Sequence, residues 1–453
     1  MSTTAVVELE RLLGAKVVTD PDRTSPWSRD QSPIADVGTP LAVVRATCTD
    51  DVVATLRIAT RFGVPVVTRG AGSGLAGGAN ASDGCILLSV AGMDDIVAID
   101  PARRTATVQP GVINAALARA VAEHGLRYTP DPGSRDISSI GGNIATNAGG
   151  MTCCKYGVTA DHVAALTAVL PDGTVVRTGG ATRKNVTGLD LTRLLVGSEG
   201  TLAVVVEATV WLEPVTDHES TIVAMFPSID AAVQAVVATT ARTTPSAMEV
   251  MDRTTIAAVN AMTGMDIDAD AEAVLLITCD GPAAADEAMV CEEVAWAHGA
   301  TGVFRTDDPD EGAELMNARR MALPALENQG SILLDDVGVP VDLLPRMVAA
   351  IQRIAAQHDL TIGTFGHAAD GNLHPTIIYD AADAAERERA REAFADIVRA
   401  AIDLGGTVSG EHGIGSLKLP FVAEMYGEAE IALMRRVKAA FDPDDLMNPG
   451  RAY

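Results

Sequence analysis

Short apolar runs alternate with amphipathic stretches over the first 214 residues. The runs LAVVRA at 41–46 and CILLSV at 85–90 predict buried strands, because each is too short for a helix. Between them, DDVVATLRIATRFG at 50–63 has the spacing of an amphipathic helix that ends at Gly63. Further strands are predicted at 64–69, 105–110, 163–170, 174–178 and 200–214, and further helices at Ala5–Leu13 and near 113–124. This pattern predicts an α+β domain with many short strands.

A second domain is predicted after Pro214, where the pattern changes. TIVAMF at 221–226 and AVLLIT at 273–278 predict strands, and the stretch 228–244 between them predicts a helix. The pattern continues with a strand at 332–340 and with helices near 282–298, 311–327, 343–357 and 381–405. We therefore expect a two-domain α+β protein whose first domain ends at about Pro214.

Composition narrows the classes of function. The 453 residues contain 34 Lys and Arg against 60 Asp and Glu, so the formal net charge is −26. This surplus of acid argues against a nucleic-acid groove and against a polybasic membrane anchor, because both need clustered Lys and Arg. An anionic ligand remains compatible with it, since a binding site needs only one or two local cations.

Targeting and redox signals favour the cytoplasm. The start MSTTAVVELERLLG lacks the basic and apolar regions of a signal peptide, and no run of about 18 apolar residues occurs. Six cysteines in a chain of this length do not make a disulfide framework, and the adjacent Cys153 and Cys154 are interpreted as two thiols whose redox role stays open. We expect a soluble, reduced, cytoplasmic protein, or one held at the inner membrane through a partner.

A glycine-rich loop, RGAGSGLAGGAN at 69–80, follows the strand predicted at 64–69. Gly72, Gly74 and Gly77 fit the G-x-G-x-x-G pattern of dinucleotide-binding folds, but that pattern needs a helix directly afterwards, and here a turn and a strand follow. Such a loop can turn successive backbone N–H groups inward and bind an anion such as a diphosphate. The alternative is a simple bend between two strands.

Two more glycine-rich stretches accompany this loop. PDPGSRDISSIGGNIATNAGG at 130–150 permits close approach of the backbone to a large flat ligand, and VGSEGTLAVV at 196–205 places glycines before a strand. Together the three stretches resemble the FAD-binding domain of the vanillyl-alcohol oxidase/p-cresol methylhydroxylase superfamily. From about Thr39 to Tyr453, the chain is similar to the branch of D-lactate dehydrogenases, glycolate oxidase catalytic subunits and D-2-hydroxyglutarate dehydrogenases.

The resemblance implies a two-domain flavoprotein that binds FAD. Residues 1–214 would form the FAD-binding domain, residues 215–410 the substrate and metal domain, and residues 411–453 a segment that returns to the flavin. Because the glycine loop contains no histidine, the FAD is expected to be non-covalent. The positions carried over as FAD-binding are Arg69, Gly70, Ala71, Gly72, Ser73, Gly74, Pro132, Gly133, Ser134, Gly142, Asn143, Thr146, Gly149, Gly150, Gly197, Ser198, Glu199 and Asn448.

A hairpin is predicted in FGHAADGNLHPTIIY at 365–379, with its turn at Asp370–Gly371. A two-residue turn there pairs residues whose numbers add to 741. His367 and His374 would then lie directly opposite each other, with Cβ atoms about 5 Å apart. Two imidazoles so placed can share a metal, and the alternative is a pair of hydrogen-bonded structural histidines.

The segment SGEHGIG at 409–415 adds Glu411 and His412. Adjacent side chains on an extended segment point apart, which predicts different roles for the two. A set of two histidines and a carboxylate is typical of catalytic zinc sites, although Mn or Fe can occupy such a site. The resemblance implies that His367, His374 and Glu411 ligate a divalent metal, expected to be zinc, and that His412 is the catalytic base.

Substrate binding is expected to involve ELMNARRMALPAL at 314–326. The resemblance implies that Arg319 holds the substrate carboxylate, for which a guanidinium fork is suited. A position on the helix surface is the alternative for Arg319, and more so for Arg320. Met316 stands where family members usually have Trp, and Leu334 stands where the hydroxyglutarate enzymes carry a lysine, which favours a small substrate.

The combined expectation is an FAD- and metal-dependent oxidation of a small D-2-hydroxy acid, D-lactate or glycolate, with hydride transfer to flavin N5. Electrons would pass to a quinone, a cytochrome or an electron-transfer protein, and a homodimer stays open. The alternatives are an enzyme similar to D-2-hydroxyglutarate dehydrogenase, a non-redox flavoenzyme similar to alkyl-glycerone-phosphate synthase, and a non-catalytic flavoprotein subunit.

Two groups of polar residues are interpreted as structural. Glu249 and Asp252 in MEVMDRT are expected to begin a helix, where their charge complements the helix dipole. The remaining histidines are expected to be structural or exposed: His124, His162, His218, His298 and His358.

Overall fold

A computed structural model describes residues 2–265, 267 and 270–453, without the side chains of Ser2 and Thr3. Met1, at which the predicted first domain begins, lies outside the described residues. The strands are β1 Val17–Val18, β2 Ala42–Arg45, β3 Val66–Arg69, β4 Ile86–Ser89, β5 Ile96–Asp100, β6 Thr105–Val108, β7 Leu126–Arg127, β8 Val163–Val169, β9 Val175–Gly179, β10 Val204–Trp211, β11 Glu213–Pro214, β12 Glu219–Phe226, β13 Ala247–Asp252, β14 Ala273–Asp280, β15 Gly302–Thr306, β16 Ser331–Leu334, β17 Val337–Gly338, β18 Thr361–His367 and β19 Asn372–Tyr379.

The helices alternate with these strands along much of the chain. They are α1 Ser2–Leu13, α2 Pro21–Thr24, α3 Thr49–Phe62, α4 Asn114–Ala122, α5 Ile140–Thr146, α6 Cys153–Tyr156, α7 Thr159–His162, α8 Leu191–Leu195, α9 Ile229–Thr240, α10 Arg253–Thr263, α11 Ala284–Ala297, α12 Pro309–Arg320, α13 Ala322–Glu327, α14 Leu344–His358, α15 Ala384–Asp403, α16 Leu419–Met425 and α17 Glu428–Phe441. Short 3-10 turns occupy Gly14–Lys16, Ser25–Trp27, Val341–Leu343 and Ala368–Asp370.

The chain divides into two units. Unit 1 consists of residues 2–149, Gly157–Val215 and Glu411–Tyr453. Unit 2 consists of Gly150–Tyr156 and Thr216–Gly410. The C-terminal segment from Glu411 is therefore part of the same unit as the N-terminal strands.

Unit 1 contains two main sheets. One has the order β1-β2-β4-β3, in which β2, β4 and β3 run parallel, and the other has the antiparallel order β5-β6-β10-β8-β9. Helix α3 packs Val52, Leu56 and Ala59 into a core shared with the parallel strands. It ends at Gly63 in the left-handed conformation, with φ of 61°, as the sequence predicts.

Unit 2 is built on one large antiparallel sheet. Its strand order is β15-β12-β14-β13-β18-β19-β16, with β17 also paired to β19. Every residue of β14 is buried, which explains why its sequence is a continuous apolar run and does not alternate. Strands β13, β18 and β19 lie beside one another in the middle of this order, so their polar side chains are held on rigid, buried backbone.

The residues Glu249 and Asp252 correct one prediction. Glu249 does not begin a helix: it lies inside β13, which pairs with β14 on one side and β18 on the other. Asp252 does stand at a helix start, because its carboxylate accepts the backbone N–H of Thr255 at 2.8 Å and caps α10. The helix therefore begins at Arg253, four residues after Glu249, and it follows a strand whose alternation is hidden by burial on both faces.

The hairpin of β18 and β19 corrects a second prediction. His367 pairs with Asn372, and His374 pairs with Phe365, so the predicted pairing of the two histidines is wrong by two residues. The cause is a longer turn, in which Ala368–Asp370 form a 3-10 turn before Gly371, whose φ is 80°. An even shift of register leaves each side chain on its original face, so the histidines remain diagonal neighbours on one face of the sheet.

The helix predicted over 311–327 is interrupted at Met321. It forms α12 and α13, and Pro324 lies in the first turn of α13. Proline has no N–H to donate to the carbonyl of residue 320, so the hydrogen-bond ladder of α12 cannot continue through it. Arg319 and Arg320 consequently occupy the last turn of α12.

No helix in the described part of the chain is both long enough and apolar enough to cross a membrane.

The Asp252 cap predicts a pH dependence of stability. Burial raises the pKa of Asp252 from 3.8 to about 6, despite the hydrogen bonds from Thr255 and Thr364. Because the folded state holds the Asp252 proton more tightly than the unfolded state does, this carboxyl favours folding fully at pH values below its unfolded-state pKa of 3.8. That contribution is lost as the pH rises through about 6. The difference in pKa between the unfolded and folded states corresponds to about 3 kcal/mol in the free energy of unfolding.

We therefore expect the stability of the wild type, relative to the Asp252→Asn variant, to fall by about 2 kcal/mol between about pH 4 and about pH 6. The measurement is thermal or urea unfolding of both proteins across this range. A difference between them that does not change with pH would contradict the assignment.

Candidate active site

Two histidines form the centre of the candidate site in unit 2. His367 ends β18 and His374 lies in β19, and both are buried. Their ring centroids are 5.1 Å apart and the ring planes are nearly perpendicular, at 87°. The sequence therefore predicts their proximity, although the pairing on which that prediction rests is wrong.

Glu249 contacts His367 and Arg319 simultaneously. The Nδ1 atom of His367 lies 2.8 Å from Oε1 of Glu249, and Nε of Arg319 lies 2.7 Å from Oε2. Burial alone acts to raise the pKa of Glu249, but the positive charges of His367 and Arg319 outweigh it and leave that pKa below its usual value. Arg319 is thus a buried, paired arginine, and the alternative of a helix-surface position is excluded.

The ring of Phe365 packs against both Arg319 and His374. The guanidinium carbon of Arg319 lies 4.5 Å from the centre of the Phe365 ring, and the ring centroid of His374 lies 5.5 Å from that of Phe365. A guanidinium over an aromatic face is attracted by the ring quadrupole. The ring therefore restricts where Arg319 can move.

A second buried carboxylate, Asp336, lies beside His374. Its Oδ1 is 3.7 Å from Nδ1 of His374 and accepts a hydrogen bond from Nδ2 of Asn372 at 2.7 Å. Its Oδ2 accepts a hydrogen bond from the hydroxyl of Ser409 at 2.8 Å. Sequence reasoning missed Asp336 and Asn372; the only available signal was two adjacent acids in the apolar stretch ILLDDVGVP.

These donors suit a divalent metal. His367 has a carboxylate within hydrogen-bond distance of one ring nitrogen, and such a partner orients the other nitrogen for coordination. Asp336 lies near His374, but its Oδ1 is 3.7 Å from Nδ1, which is beyond hydrogen-bond distance. Imidazole and carboxylate ligands together suit Zn, Mn or Fe. Within unit 2, the side chains placed to hold such an ion are those of His367, His374 and Asp336.

The glycine loop lies in unit 1, directly after β3. Among the described residues, the backbone N–H groups of Gly72, Ser73 and Gly74 have no hydrogen-bond acceptor, which leaves them available to an anion. The side chain of Arg69 packs against the loop at Gly72, and its Nη1 donates a hydrogen bond to the carbonyl of Arg29 at 2.9 Å. A Cβ on Gly72 would lie 2.0 Å from Nη2 of Arg69, so the loop needs glycine there.

The loop packs against the start of α5. The Ser139 hydroxyl accepts the backbone N–H groups of Ala71 and Gly142, each at 3.3 Å. A Cβ on Gly70 would lie 2.5 Å from that hydroxyl oxygen. Asn143 is buried and its amide bonds Ser138 and Asn114, so its side chain fixes the position of α5. The structure therefore brings the first two predicted glycine stretches together.

Glu199 and Asn448 join the third stretch to the first. The amide of Asn448 donates to the carbonyls of Glu199 at 2.6 Å and Gly78 at 3.2 Å. Its Oδ1 is buried and has no partner among the described residues, which suits a ligand that offers a donor. The Glu199 carboxylate instead accepts the backbone N–H groups of Ile414 at 2.7 Å and Gly415 at 2.8 Å, and burial raises its pKa.

The other predicted cofactor positions are distributed over both units. Ser198 and Thr146 donate to the carbonyls of Leu195 and Gly142, so their hydroxyls are used internally. Gly133 is exposed, and a Cβ there would meet nothing within 4 Å. Gly149 closes a segment of unit 1, whereas Gly150 opens a segment of unit 2. Pro132, Ser134 and Gly197 also lie in unit 1.

Glu411 and His412 belong to unit 1 and precede the residues that Glu199 holds. The backbone bends at both residues, so the expected extended segment is wrong. Nε2 of His412 lies 3.8 Å from Oε1 of Glu411, and both side chains are half-buried. The two side chains therefore lie on the same side of the bend and approach each other.

The remaining histidines make local hydrogen bonds or are exposed. His162, His298 and His358 make hydrogen bonds to Thr129, Val294 and Asp396, and His124 and His218 are exposed. The six cysteines are present as thiols, of which Cys85, Cys279 and Cys291 are buried.

Two protein-family models match the chain. The model of an FAD binding domain matches residues 40–179, and the model of the C-terminal domain of FAD linked oxidases matches residues 215–452.

Curated relatives extend over nearly the whole chain. The glycolate oxidase subunit GlcD of Bacillus subtilis is 43% identical, over 91% of this chain and 89% of the relative. The D-lactate dehydrogenase of Anaerostipes hadrus is 31% identical, over 98% of this chain and 96% of the relative.

Solved structures of low sequence identity share the fold. p-Cresol methylhydroxylase with bound substrate has a TM-score of 0.83 and 19% identity, with 99% of this chain and 96% of that chain covered. An alkyldihydroxyacetonephosphate synthase has a TM-score of 0.77 and 18% identity, with coverages of 98% and 85%. At this identity the likeness is one of fold alone.

We predict that Gly72→Ala lowers the FAD content of the purified protein. The φ of 76° and the contact with Arg69 both oppose a side chain at Gly72. A cost of about 1–2 kcal/mol corresponds to a loss of affinity of about five- to thirtyfold. The measurement is flavin released per protein after dialysis, with Gly180→Ala as the control, because a Cβ there meets nothing. Equal flavin content in both variants would contradict the role of the loop.

Proposed function

Because the chain belongs to the family of FAD-linked oxidases, we propose that it oxidises a small 2-hydroxy acid, such as glycolate or D-lactate, to the 2-oxo acid. Family membership confirms the predicted two-domain flavoprotein fold and the class of enzyme. The choice of substrate is supported by relatives named glycolate oxidase subunit and D-lactate dehydrogenase. The observation that carries it is a buried arginine beside two buried histidines, a set suited to a carboxylate that neighbours a hydroxyl.

Unit 1 would hold the FAD. The free N–H groups of Gly72, Ser73 and Gly74 suit its diphosphate, and the unpartnered Oδ1 of Asn448 suits a donor on the cofactor. The other positions proposed from the sequence would line the cofactor through backbone that glycine keeps accessible. When bound, FAD supplies the acceptor for the hydride that leaves the substrate.

A divalent metal would be held by His367 and His374, with Glu411 as the third ligand. Support for Glu411 comes from the chain itself, because Glu411 follows two residues after Ser409, which binds Asp336 beside His374. A bound divalent ion would lower the pKa of the substrate hydroxyl. Zinc suits this ligand set, and Mn or Fe would also fit it.

The chain's own residues would orient the substrate and move one proton. Arg319 would hold the carboxylate with its terminal nitrogens, since its Nε already lies against Glu249. His412 would accept the hydroxyl proton on an imidazole nitrogen, with Glu411 beside it. The buried surroundings of Arg319 exclude water from the carboxylate contact and so strengthen it.

The reaction is tested by anaerobic mixing of the FAD-loaded protein with a panel of 2-hydroxy acids, followed at the flavin absorbance. We expect bleaching by glycolate or D-lactate, and a slower rate after chelator treatment that added zinc or manganese restores. Arg319→Lys should raise the KM by about tenfold or more, because an ammonium cannot form the bidentate contact. Absence of bleaching with every 2-hydroxy acid would refute the proposal.

Substrate size has a separate test at Leu334. Leu334 pairs with Thr376, which follows His374 by two residues, so Leu334 lies on the same face of the sheet as His374. It packs in the apolar cluster that contains Phe365 and Met316, which offers no partner for a second carboxylate.

We expect Leu334→Lys to raise kcat/KM for D-2-hydroxyglutarate by about tenfold or more, as one charged hydrogen bond allows, and to lower it for D-lactate. Leu334→Met is the matched control, since it keeps the apolar volume. A wild type that already prefers the dicarboxylate would support the alternative, an enzyme similar to D-2-hydroxyglutarate dehydrogenase. The electron acceptor is proposed to be a quinone, a cytochrome or an electron-transfer protein.

A further inference from the structure

Glu249 has an unusual position for a carboxylate. It lies in β13, near the middle of the unit 2 sheet, directly opposite His367 of β18 in the strand register. Its side chain is completely buried, with 0% exposed. A buried charge of this kind is costly unless it is paired on all sides, so its retention requires specific partners.

Both oxygens of Glu249 are in use. Nδ1 of His367 lies 2.8 Å from Oε1 and 3.0 Å from Oε2, and Oε2 also contacts Nε of Arg319 at 2.7 Å. The contact with Arg319 is an ion pair whose angle is not that of a well-aligned hydrogen bond. One carboxylate therefore holds a side chain from a neighbouring strand and a side chain from the last turn of α12.

On the side of His367, the contact fixes the imidazole. Because Nδ1 faces the carboxylate, a metal at His367 would bind Nε2, and the ring cannot rotate without breaking the bond to Glu249. The strand register supports the same orientation, since residues directly opposite in a sheet project to one face.

On the side of Arg319, the contact fixes the guanidinium fork. Glu249 holds Nε, and the Phe365 ring lies 4.5 Å from the guanidinium carbon. In the described part of the chain, the terminal nitrogens of Arg319 make no hydrogen bond, so a ligand carboxylate can use both. Only 9% of this side chain is exposed, which leaves little freedom for other orientations.

We propose that Glu249 is a positioning residue that couples the metal-binding histidine to the substrate-binding arginine. The inference rests on the proposed function, in which His367 binds a metal and Arg319 binds a carboxylate. Because one carboxylate makes both contacts and shares Oε2 between them, a displacement of Glu249 moves both partners. The same residue thereby sets the distance between the metal and the substrate carboxylate.

The first test measures metal binding without turnover. Zinc affinity is determined by competition with a chromophoric chelator for the wild type, Glu249→Gln and Glu249→Asp. We expect about ten- to hundredfold weaker zinc binding in Glu249→Gln, the usual effect of losing a carboxylate behind a ligand histidine. A smaller loss is expected in Glu249→Asp, whose charge remains but whose carboxylate is withdrawn. Glu314→Gln is the matched control, because Glu314 lies exposed on α12.

The second test measures the substrate side at saturating zinc. Glu249→Gln should raise the KM for the 2-hydroxy acid by about tenfold, with a smaller change in kcat, because the arginine fork loses its orientation before the reaction begins. Bound FAD and the unfolding temperature show whether each variant folds, and Glu249→Asp replaces Glu249→Gln if the latter does not.

The outcomes distinguish failure of the coupling role of Glu249 from failure of the proposed oxidation of a 2-hydroxy acid. A shift in both zinc affinity and KM supports the coupling. A shift in only one, or in neither, overturns it, because Glu249 would then serve one partner or none. A wild type that oxidises no 2-hydroxy acid refutes the proposed function by itself, whereas the zinc competition still reports on the contact between Glu249 and His367.

Discussion

The buried ion pairs of Glu249 constrain the rest of the site in unit 2. Two positively charged or protonatable side chains and one carboxylate lie in the apolar interior, where an unpaired charge costs several kcal/mol. The pairing therefore holds only if β13, β18 and α12 keep their present positions. The site therefore depends on the strand register and on the position of the last turn of α12. Phe365 further restrains Arg319 and His374, and Asp336 lies beside His374.

The constraints in unit 1 are of another kind. There the backbone carries the site: glycines at positions 70 and 72 allow close packing on Ser139 and Arg69, and Glu199 holds the segment 414–415 through two backbone N–H groups. By accepting these two hydrogen bonds, the Glu199 carboxylate fixes the position of the backbone at 414–415. The G-x-G-x-x-G match is consequently misleading, because the loop feeds a turn and β4, not the helix that this fingerprint requires.

The sequence predicts much of this arrangement because many signals are local. The amphipathic spacing of α3, the apolar runs of β2 and β14 and the glycine stretches each depend on a few adjacent residues. The two histidines come together as predicted, although the pairing is wrong, because an even shift in register preserves the face.

Other features depend on long-range pairing and could not be predicted. Glu249 meets His367 only because β13 pairs with β18, across 118 positions of sequence. In isolation, one carboxylate in MEVMDRT is equally compatible with a helix start. Asp336 was missed for the same reason. Strands β5 and β15 were also missed; each has only five residues, and most of their side chains are not buried.

The most direct measurement is the crystal structure of the zinc-loaded protein, with anomalous scattering recorded at the zinc edge. The account predicts one zinc peak within coordination distance, about 2.0–2.1 Å, of Nε2 of His367 and of a ring nitrogen of His374, with Glu249 still bound to Nδ1 of His367. A zinc peak elsewhere, or a His367 ring turned so that Nδ1 faces the metal and Glu249 is released, would contradict it.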